Sequence, residues 1–464
     1  MDFLKEEDTA PEVSVPALFA RIIPPEEHSI TPEKIDQDAL FVLRKIADAG
    51  FAGYLVGGGV RDLYLGNTPK DFDISTDARP GQLRKLFPHS NTIGRRFRLV
   101  QVFFKAGKTI EISTLRSLSE YDLDGPEEVL APNNTFGTLS EDARRRDLTI
   151  NSLFYEIKTG TIIDYVGGTE DLERGIIRIG GEPARRIGRD PVRMMRAIRH
   201  AARSNFSIEN ATWKAICTHS DKLRLCPPSR LRDEFLKDLY DGAAYQWFLL
   251  AADSGIFANL FPFYRKTLLK SADAINKPKE LLARLFQTID RANALAVSQN
   301  NHRQPDFFLF ALILIPWIET RWQLYSTFRK SNALFQLAKE IRDEIDRTIG
   351  VDLNLRRSLR QEMVSLLINL SLVIHNKTAN DWPKWLKRKS YFKKTMLFYH
   401  FYTEAFTGEP IDDRILITDA PPQLPEISQT TPRRIAPAAE KLPPPQCKPA
   451  FSSKAKGGIF GFKK

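Results

Sequence analysis

Cysteine, long apolar runs and an apolar N-terminal segment are scarce or missing in this sequence of 464 residues. The three cysteines lie too far apart to form a CxxC ligand pair, which argues against structural zinc and for a reducing, cytoplasmic environment. The most apolar run, Phe307 to Ile318, contains Pro316 and is too short to span a bilayer, so it predicts a buried helix. The acidic start MDFLKEEDTAPEV lacks the apolar core of a secretory signal.

Basic residues, by contrast, are abundant. The chain has 68 Lys and Arg against 57 Asp and Glu, a formal net charge of +11. Such an excess favours a polyanionic partner, with nucleic acid ahead of an anionic membrane surface. The length is too great for one hydrophobic core, so we expect roughly two to four structural units.

The pattern along the chain predicts an α+β protein with five regions. Residues 1–30 are rich in proline and indicate a flexible arm, after which Pro32 opens a helix capped by Thr31 and ended by Gly50. Short alternating runs such as DFDIST, RLVQVFF and TIEIST predict a mixed sheet within a head of residues 31–166. Helical periodicity then predicts a neck at 167–265 and a body at 266–410, and the basic, proline-rich residues 411–464 predict a disordered tail.

Three carboxylates form the first candidate site. Asp71 and Asp73 in DFDIST point to the same face of a strand, because side chains alternate across a sheet. Paired carboxylates with substrate phosphates are the usual ligands of Mg²⁺, although two solvated aspartates on an exposed strand remain the alternative. Glu111 in TIEIST would join them if its strand lies beside DFDIST, making a site for two metal ions.

The glycine triplet in LVGGGVRDLYLG is the second candidate. Gly57, Gly58 and Gly59 follow an apolar strand, so backbone N–H groups there could approach a triphosphate, and Arg61 would add positive charge. The segment is neither a Walker P-loop nor a GxGxxG fingerprint, since it lacks GKS/T and has Asp62 at the last glycine position.

A stripe of arginines in DPVRMMRAIRHAAR is the third candidate. Asp190 and Pro191 predict a helix start, and basic side chains recur on one face at Arg193, Arg196, Arg199 and Arg203. This stripe could contact a nucleotide or form a surface ladder of ion pairs.

In order and spacing, LVGGGVRDLYLG, DFDIST, EISTLR, RRRDLTINSLFY and DPVRMMRAIRHAAR resemble the successive motifs of the class II nucleotidyltransferases. This family comprises bacterial poly(A) polymerases and tRNA CCA-adding enzymes. The segments IIPPEEHSI, GRRFRLVQVFF and PPSRLRDEFLKDLYDG are more similar to the poly(A) polymerase branch. The resemblance implies a polymerase β-like head followed by an all-helical neck and body.

The resemblance also implies roles for individual residues. Asp71, Asp73 and Glu111 would be the catalytic ligands of two Mg²⁺ ions. The nucleotide ATP would be held by its triphosphate, ribose and base. The implied contacts are Arg146, Asp147 and Asn151 for ribose and triphosphate, Asp190 and Arg193 for the base edge, and Arg196 and Arg199 for the phosphates.

Two positions depart from the family pattern. Arg189 stands where the family usually has glutamate, which bears on base selectivity, and His200 stands where an aromatic residue is common, a change that we ascribe to packing.

The predicted reaction is metal-assisted attack of an RNA 3′-hydroxyl on the α-phosphate of ATP, with release of pyrophosphate. The predicted partners are single-stranded RNA 3′ ends with weak sequence preference, and RNA-degradation machinery. A tRNA CCA- or A-adding enzyme and a catalytically silent RNA-binding protein are the alternatives.

Overall fold

An eight-stranded mixed sheet dominates the N-terminal part of the computed structural model, which describes residues 19–94, 98–117, 136–268, 277–378 and 381–417. The strand order is β1-β8-β7-β2-β3-β6-β5-β4, and all neighbours are antiparallel except β3 and β6. The strands are β1 Arg21–Ile23, β2 Gly53–Val56, β3 Asp73–Thr76, β4 Ser90–Ile93, β5 Leu99–Phe103, β6 Thr109–Thr114, β7 Phe154–Glu156 and β8 Thr161–Asp164.

Alternation along β6 explains how the sheet carries both a core and a polar face. Ile110 and Ile112 are buried on one face, whereas Glu111 and Ser113 are half-buried on the other. The period of two that predicted these strands is therefore confirmed. Helices of the head pack beside the sheet: α1 Gln37–Asp48, α2 Gly58–Tyr64, α3 Pro80–Leu86, α4 Leu139–Arg145 and α5 Gly168–Arg174.

A helical neck follows the sheet and begins with a small parallel ladder, in which β9 Ile176–Ile177 pairs with β10 Ser207–Ile208. Its central helix, α7, buries Met194, Ala197 and Ile198 and turns its arginines to the opposite side. The neck helices are α6 Pro183–Arg189, α7 Val192–Ser204, α8 Asn210–His219, α9 Pro228–Tyr240, α10 Ala244–Asp253, α11 Ile256–Leu260 and α12 Arg265–Leu268.

The described residues of the body form helices joined by loops. Its elements are α13 Lys277–Ser298, α14 Asp306–Trp322, α15 Ser331–Arg347, α16 Ile349–Asp352, α17 Arg357–His375, α18 Lys384–Lys387, α19 Phe392–Thr407 and α20 Asp413–Ile417. The apolar run around Pro316 forms the buried helix α14, as predicted.

Tyr264 reinforces α14 beside its proline. The amide of Trp317 donates to the Tyr264 hydroxyl (3.0 Å), which itself donates to the carbonyl of Ile313 (2.6 Å). The hydroxyl thus bridges the two backbone groups that an undistorted helix would pair directly. Within the described ranges, the helices are too short or too polar to cross a bilayer.

Three boundary predictions were wrong. The first helix starts five residues later than expected, because Asp36 rather than Thr31 caps it and accepts hydrogen bonds from the amides of Asp38 (2.9 Å) and Ala39 (3.3 Å). Pro32–Lys34 form a separate 3₁₀ turn. The predicted loose arm of residues 1–30 contains edge strand β1, which pairs with β8. The predicted disordered tail of residues 411–464 begins too early, because Asp413–Ile417 form helix α20. Residues 418–464 lie outside the described ranges.

Candidate active site

The sheet brings two of the predicted carboxylates side by side. Asp73, the first residue of β3, pairs in parallel register with Glu111 of β6, and both belong to the same polar face. Gln101 of β5 lies opposite Glu111 and donates to its Oε1 atom at 3.3 Å. The sequence predicted a shared carboxylate site only if the strand of Glu111 lies beside that of Asp73. The structure meets this condition.

The charge balance around Asp73 is unfavourable for two ionised carboxylates. Reduced solvation among the surrounding protein atoms, then repulsion by Glu111 and by Asp71, raises the pKa of Asp73 to about 6, against the attraction of Arg146. Asp73 itself remains accessible to solvent, so an ion can reach its carboxylate. A cation would relieve this repulsion, and carboxylate oxygens are the donors that Mg²⁺ prefers.

Asp71 precedes β3, so the prediction that it lies on the same strand as Asp73 was wrong. Among the described residues, no three acidic, His or Cys side chains converge closely enough to hold one ion together. Asp73 and Glu111 nevertheless supply carboxylate oxygens, which are donors that Mg²⁺ prefers, and Asp71 contributes negative charge nearby.

A different structural constraint requires glycine at each of the three positions. Gly57 adopts φ +73° and ψ −135°, a conformation open to glycine, and so turns β2 into α2. A Cβ atom at Gly58 would lie 3.4 Å from the Arg61 guanidinium, and one at Gly59 would lie 3.3 Å from the backbone oxygen of Asp71. The triplet therefore positions Arg61 and the Asp71 backbone as well as the turn.

Arg146 lies close to both the glycine turn and Asp73. One of its Nη atoms would lie 3.7 Å from a Cβ atom at Gly57, and Nη2 donates to Ser75 Oγ at 3.1 Å. Asp142 accepts from the same guanidinium at 2.9 Å, and the guanidinium covers the ring of Phe154. Positive charge is thus held beside the glycine turn and beside Asp73.

Arg61, Asn151 and His200 join the head to the neck. The buried guanidinium of Arg61 donates to Asp62 (2.7 Å) and to Asn151 Oδ1 (2.6 Å). His200 of α7 lies 3.4 Å from both Arg61 Nη1 and Asn151 Nδ2. Burial, and then the positive charge of Arg61, lower the pKa of His200 well below 6.5, so the ring is neutral. Our sequence interpretation of His200 as packing alone was wrong, because it completes a polar junction.

The arginine stripe of α7 is a ladder of ion pairs, the second of the two possibilities left open by the sequence. Arg196 pairs with Asp147 at 2.6 Å, and Arg203 approaches Asp241 at 3.6 Å. Burial would raise the pKa of Asp147, but Arg196 and Arg193 outweigh it and hold that pKa below its usual range.

Asp190 and Arg193 lie at the N-terminal end of the same stripe. Both carboxylate oxygens of Asp190 are held by Arg230 of α9 at 2.9 Å. Arg193 Nη1 donates to the backbone oxygen of Arg146 at 3.3 Å, which connects α7 to the residues of the head site. The base-reading pair implied by the resemblance therefore lies next to the other candidate residues.

Arg199 has a different environment. It is largely buried and pairs with Glu234 and Asp238 of α9. The structure thus brings Arg199 to the carboxylates of a neighbouring helix and gives it a clear structural role.

Several contributors were missed by sequence reasoning. Asp142 is buried and holds both Arg145 (2.7 Å) and Arg146. Its spacing of four residues before Arg146 on a helix was a signal that could have identified it. Arg230 offered no local signal, because it lies 40 residues from Asp190 in sequence.

Comparison with known proteins identifies the family of the chain. Residues 53–178 match the family described as poly A polymerase head domain, and residues 205–268 match the probable RNA and SrmB-binding site of polymerase A. Over 377 residues, 79% of either chain, the sequence is 35% identical to poly(A) polymerase I of Escherichia coli O157:H7. It is 40% identical to the CCA-adding enzyme of Lactobacillus helveticus over 200 residues, 43% of this chain and 49% of that one.

The fold also has a solved counterpart. The crystal structure of the Bacillus stearothermophilus CCA-adding enzyme in complex with CTP superimposes with a TM-score of 0.55 at 25% identity, covering 82% of this chain and 80% of that one. Sheet, glycine turn and helical neck together thus define a nucleotidyltransferase. The chain belongs to the poly(A) polymerase family of class II nucleotidyltransferases, which confirms the resemblance seen in the sequence.

Proposed function

We propose that this nucleotidyltransferase adds AMP from ATP to RNA 3′ ends and so synthesises poly(A) tails that promote RNA turnover. The observation that carries the proposal is the extent of similarity. The match to poly(A) polymerase I covers 79% of the chain, whereas the CCA-adding relative from Lactobacillus helveticus covers 43%. A cytoplasmic location and an association with RNA-degradation machinery remain predictions.

The carboxylates of the head sheet would hold the catalytic metal. Asp73 and Glu111, with Asp71 nearby, are proposed as the ligands of two Mg²⁺ ions, since their register and mutual repulsion suit a divalent cation. When bound, Mg²⁺ supplies charge neutralisation at the phosphate oxygens and acidifies the attacking hydroxyl. No protein side chain then needs to act as a nucleophile.

The glycine turn and its cations would bind the nucleotide triphosphate. Arg146 places a guanidinium beside Gly57, where backbone N–H groups can approach phosphate without a Cβ atom in the way. Arg61 supports this turn through Asn151. Arg196 and Asp147, already paired, are proposed to contact the phosphate and ribose when the nucleotide enters.

Asp190 and Arg193 together would read the base. A carboxylate accepts from an exocyclic amino group, and a guanidinium donates to a ring nitrogen, which is the complement of adenine. Cytosine offers the same donor and acceptor, whereas guanine and uracil present a carbonyl in place of the amino group. The pair therefore explains rejection of GTP and UTP better than a choice between ATP and CTP. Arg189 has no acceptor for an exocyclic amino group. Recognition of that group is therefore assigned to Asp190, which Arg230 orients.

A second candidate is a tRNA CCA- or A-adding enzyme. It is favoured by the likeness to the CTP complex and by the ambiguity of the base-reading pair. A catalytically silent RNA-binding protein is the less favoured alternative, because Asp71, Asp73 and Glu111 are all present.

The deciding experiment offers each labelled NTP separately, with Mg²⁺, to an unstructured RNA and to tRNA lacking its 3′ end. Long products from ATP with the unstructured RNA are expected. Extension of tRNA alone, by no more than the CCA sequence, would show the second candidate to be correct, and no incorporation with any substrate would favour the silent protein.

A further inference from the structure

A basic surface with one exposed tryptophan lies in the body, away from the residues of the candidate active site in sequence. The segment DWPKWLKRKSYFKK, residues 381–394, has six Lys or Arg against one Asp. All six cations are exposed, and Trp385 is 50% exposed. We name as the Trp385 patch the side chains of Lys384, Trp385, Lys387, Arg388, Lys389, Lys393 and Lys394.

The backbone of the patch is held in place. Leu386 is fully buried, so α18 is anchored by the residue next to Trp385. The amide of Leu386 donates to the carbonyl of Pro383 (2.9 Å), and the amide of Phe392 donates to that of Lys389 (3.0 Å). Trp382 is fixed by a hydrogen bond from its indole to the carbonyl of Val373 (2.9 Å). The exposure of Trp385 thus follows from an anchored turn.

Positive charge in the patch is only partly neutralised. Lys387 pairs with Asp381, and Lys394 pairs with Glu362 at 2.7 Å. Across the described ranges, Lys384, Arg388 and Lys389 form no ion pair. The patch therefore combines uncompensated cations with an exposed aromatic face.

Lys394 lies beside a second aromatic ring. Its ammonium lies 4.1 Å from the centre of the Phe307 ring, at a cavity of about 380 Å³. Phe307 and the exposed Arg356 line that cavity together with the carboxylates Asp306 and Glu362. A second aromatic ring and a further cation thus adjoin the patch.

We propose that the Trp385 patch binds single-stranded RNA upstream of the 3′ end that is extended, an inference that rests on the proposed function. Aromatic stacking combined with backbone-tracking cations is the usual mode of binding single strands without reading sequence. A membrane surface would also attract cations, but Leu386 points inward and Trp385 is the one exposed aromatic residue of α18, so an apolar stripe for insertion is not formed there. RNA is therefore the favoured occupant.

The test measures binding of a fluorescent unstructured RNA to the full chain, without ATP, over a range of salt concentrations. Trp385→Ala is expected to raise Kd about tenfold, since loss of one stacked base is worth that order of affinity. The triple change Lys384→Gln, Arg388→Gln and Lys389→Gln is expected to reduce the slope of log K against log salt by about 2. The matched control is Phe335→Ala with Lys339→Gln, two exposed residues of α15, which is expected to change neither quantity.

Incorporation of AMP is measured in parallel on a long and a short RNA. Higher KM for the long RNA at unchanged kcat, in both patch variants, supports the proposal. Unchanged RNA affinity in both variants overturns it, as does a loss confined to binding of phosphatidylglycerol vesicles. If the wild-type chain binds RNA through the patch but incorporates no AMP, the proposed function fails while the surface assignment stands.

Discussion

Asp73 of β3 and Glu111 of β6 occupy paired positions on the one parallel strand pair of the head sheet as described. Their mutual repulsion raises the cost of ionising both, so the site favours a bound cation over an empty pair of carboxylates. The relationship depends on register, because a shift of one residue would move Glu111 to the buried face.

Removing either carboxylate is therefore expected to abolish transfer while preserving the fold. Asp73→Asn and Glu111→Gln should each lower AMP incorporation at least about a hundredfold, as loss of transition-state electrostatics does elsewhere. Their melting temperatures should stay equal or rise slightly, because a like-charge pair has been relieved. Incorporation, RNA binding and thermal melting are measured together, with Asp48→Asn, an exposed carboxylate of α1, as the control.

The variant Asp71→Asn tests whether Asp71 is a metal ligand or only a charge near the metal site. As a metal ligand, Asp71 should be as essential as Asp73. A loss of less than tenfold that added Mg²⁺ does not restore would instead limit Asp71 to a contribution of nearby charge.

Gly57 should tolerate no side chain. Gly57→Ala is expected to lower the free energy of unfolding by about 1–3 kcal/mol, because φ +73° with ψ −135° is strained for alanine. Gly81→Ala in α3 is the matched control, since a Cβ atom there meets open space and alanine favours helix. Urea unfolding of both variants provides the measurement, and equal stability would contradict the assigned turn.

Two arginines of one helix should differ in what they stabilise. Arg199→Met leaves Asp238 buried beside Glu234 without its cation, so a loss of about 3–5 kcal/mol is expected. Arg203→Met removes an exposed pair and should cost less than about 1 kcal/mol. A higher KM for ATP in Arg199→Met with unchanged melting would instead favour the phosphate contact implied by the family resemblance.

His200 should make the junction between head and neck sensitive to acid. Its pKa is depressed in the folded state, so the unfolded chain binds the proton more readily. Its contribution to stability is therefore complete above pH 6.5 and declines as pH falls below that value, by up to about 1.4 kcal/mol per pH unit. Comparing the wild type with His200→Gln between pH 8 and about pH 5 isolates this contribution. A stability difference that does not change with pH would contradict it.

Selection of the nucleotide provides a further expectation. Asp190→Ala should lower the preference for ATP and CTP over GTP and UTP, because the acceptor for the exocyclic amino group is lost. Arg230→Gln should produce a weaker form of the same change, since Asp190 would lose its orienting partner while the acceptor remained. Unchanged ratios of kcat/KM for the four nucleotides in both variants would exclude this base-reading pair.

Much of the head was predictable because its signals are local. Strand alternation located Asp73 and Glu111, and the glycine triplet marked the turn before α2. Asp71 lies before β3, so alternation did not apply to it. Helix boundaries were less predictable, since Thr31 and Asp36 are both good capping residues and only packing selects between them. The role of His200 could not be predicted, because Arg61 and Asn151 reach it from distant segments.

The sequence by itself determined the chemistry available: carboxylates on one strand face, a glycine turn and a basic helix. Tertiary structure alone decided which charged side chains face the candidate active site and which pair with other protein side chains. It placed Asp73 against Glu111 and Arg146 beside Gly57, and it assigned Arg199 to the carboxylates of a neighbouring helix. The physical reason is that spacing sets the face on which a side chain lies, whereas the partner of a charge depends on which elements pack together.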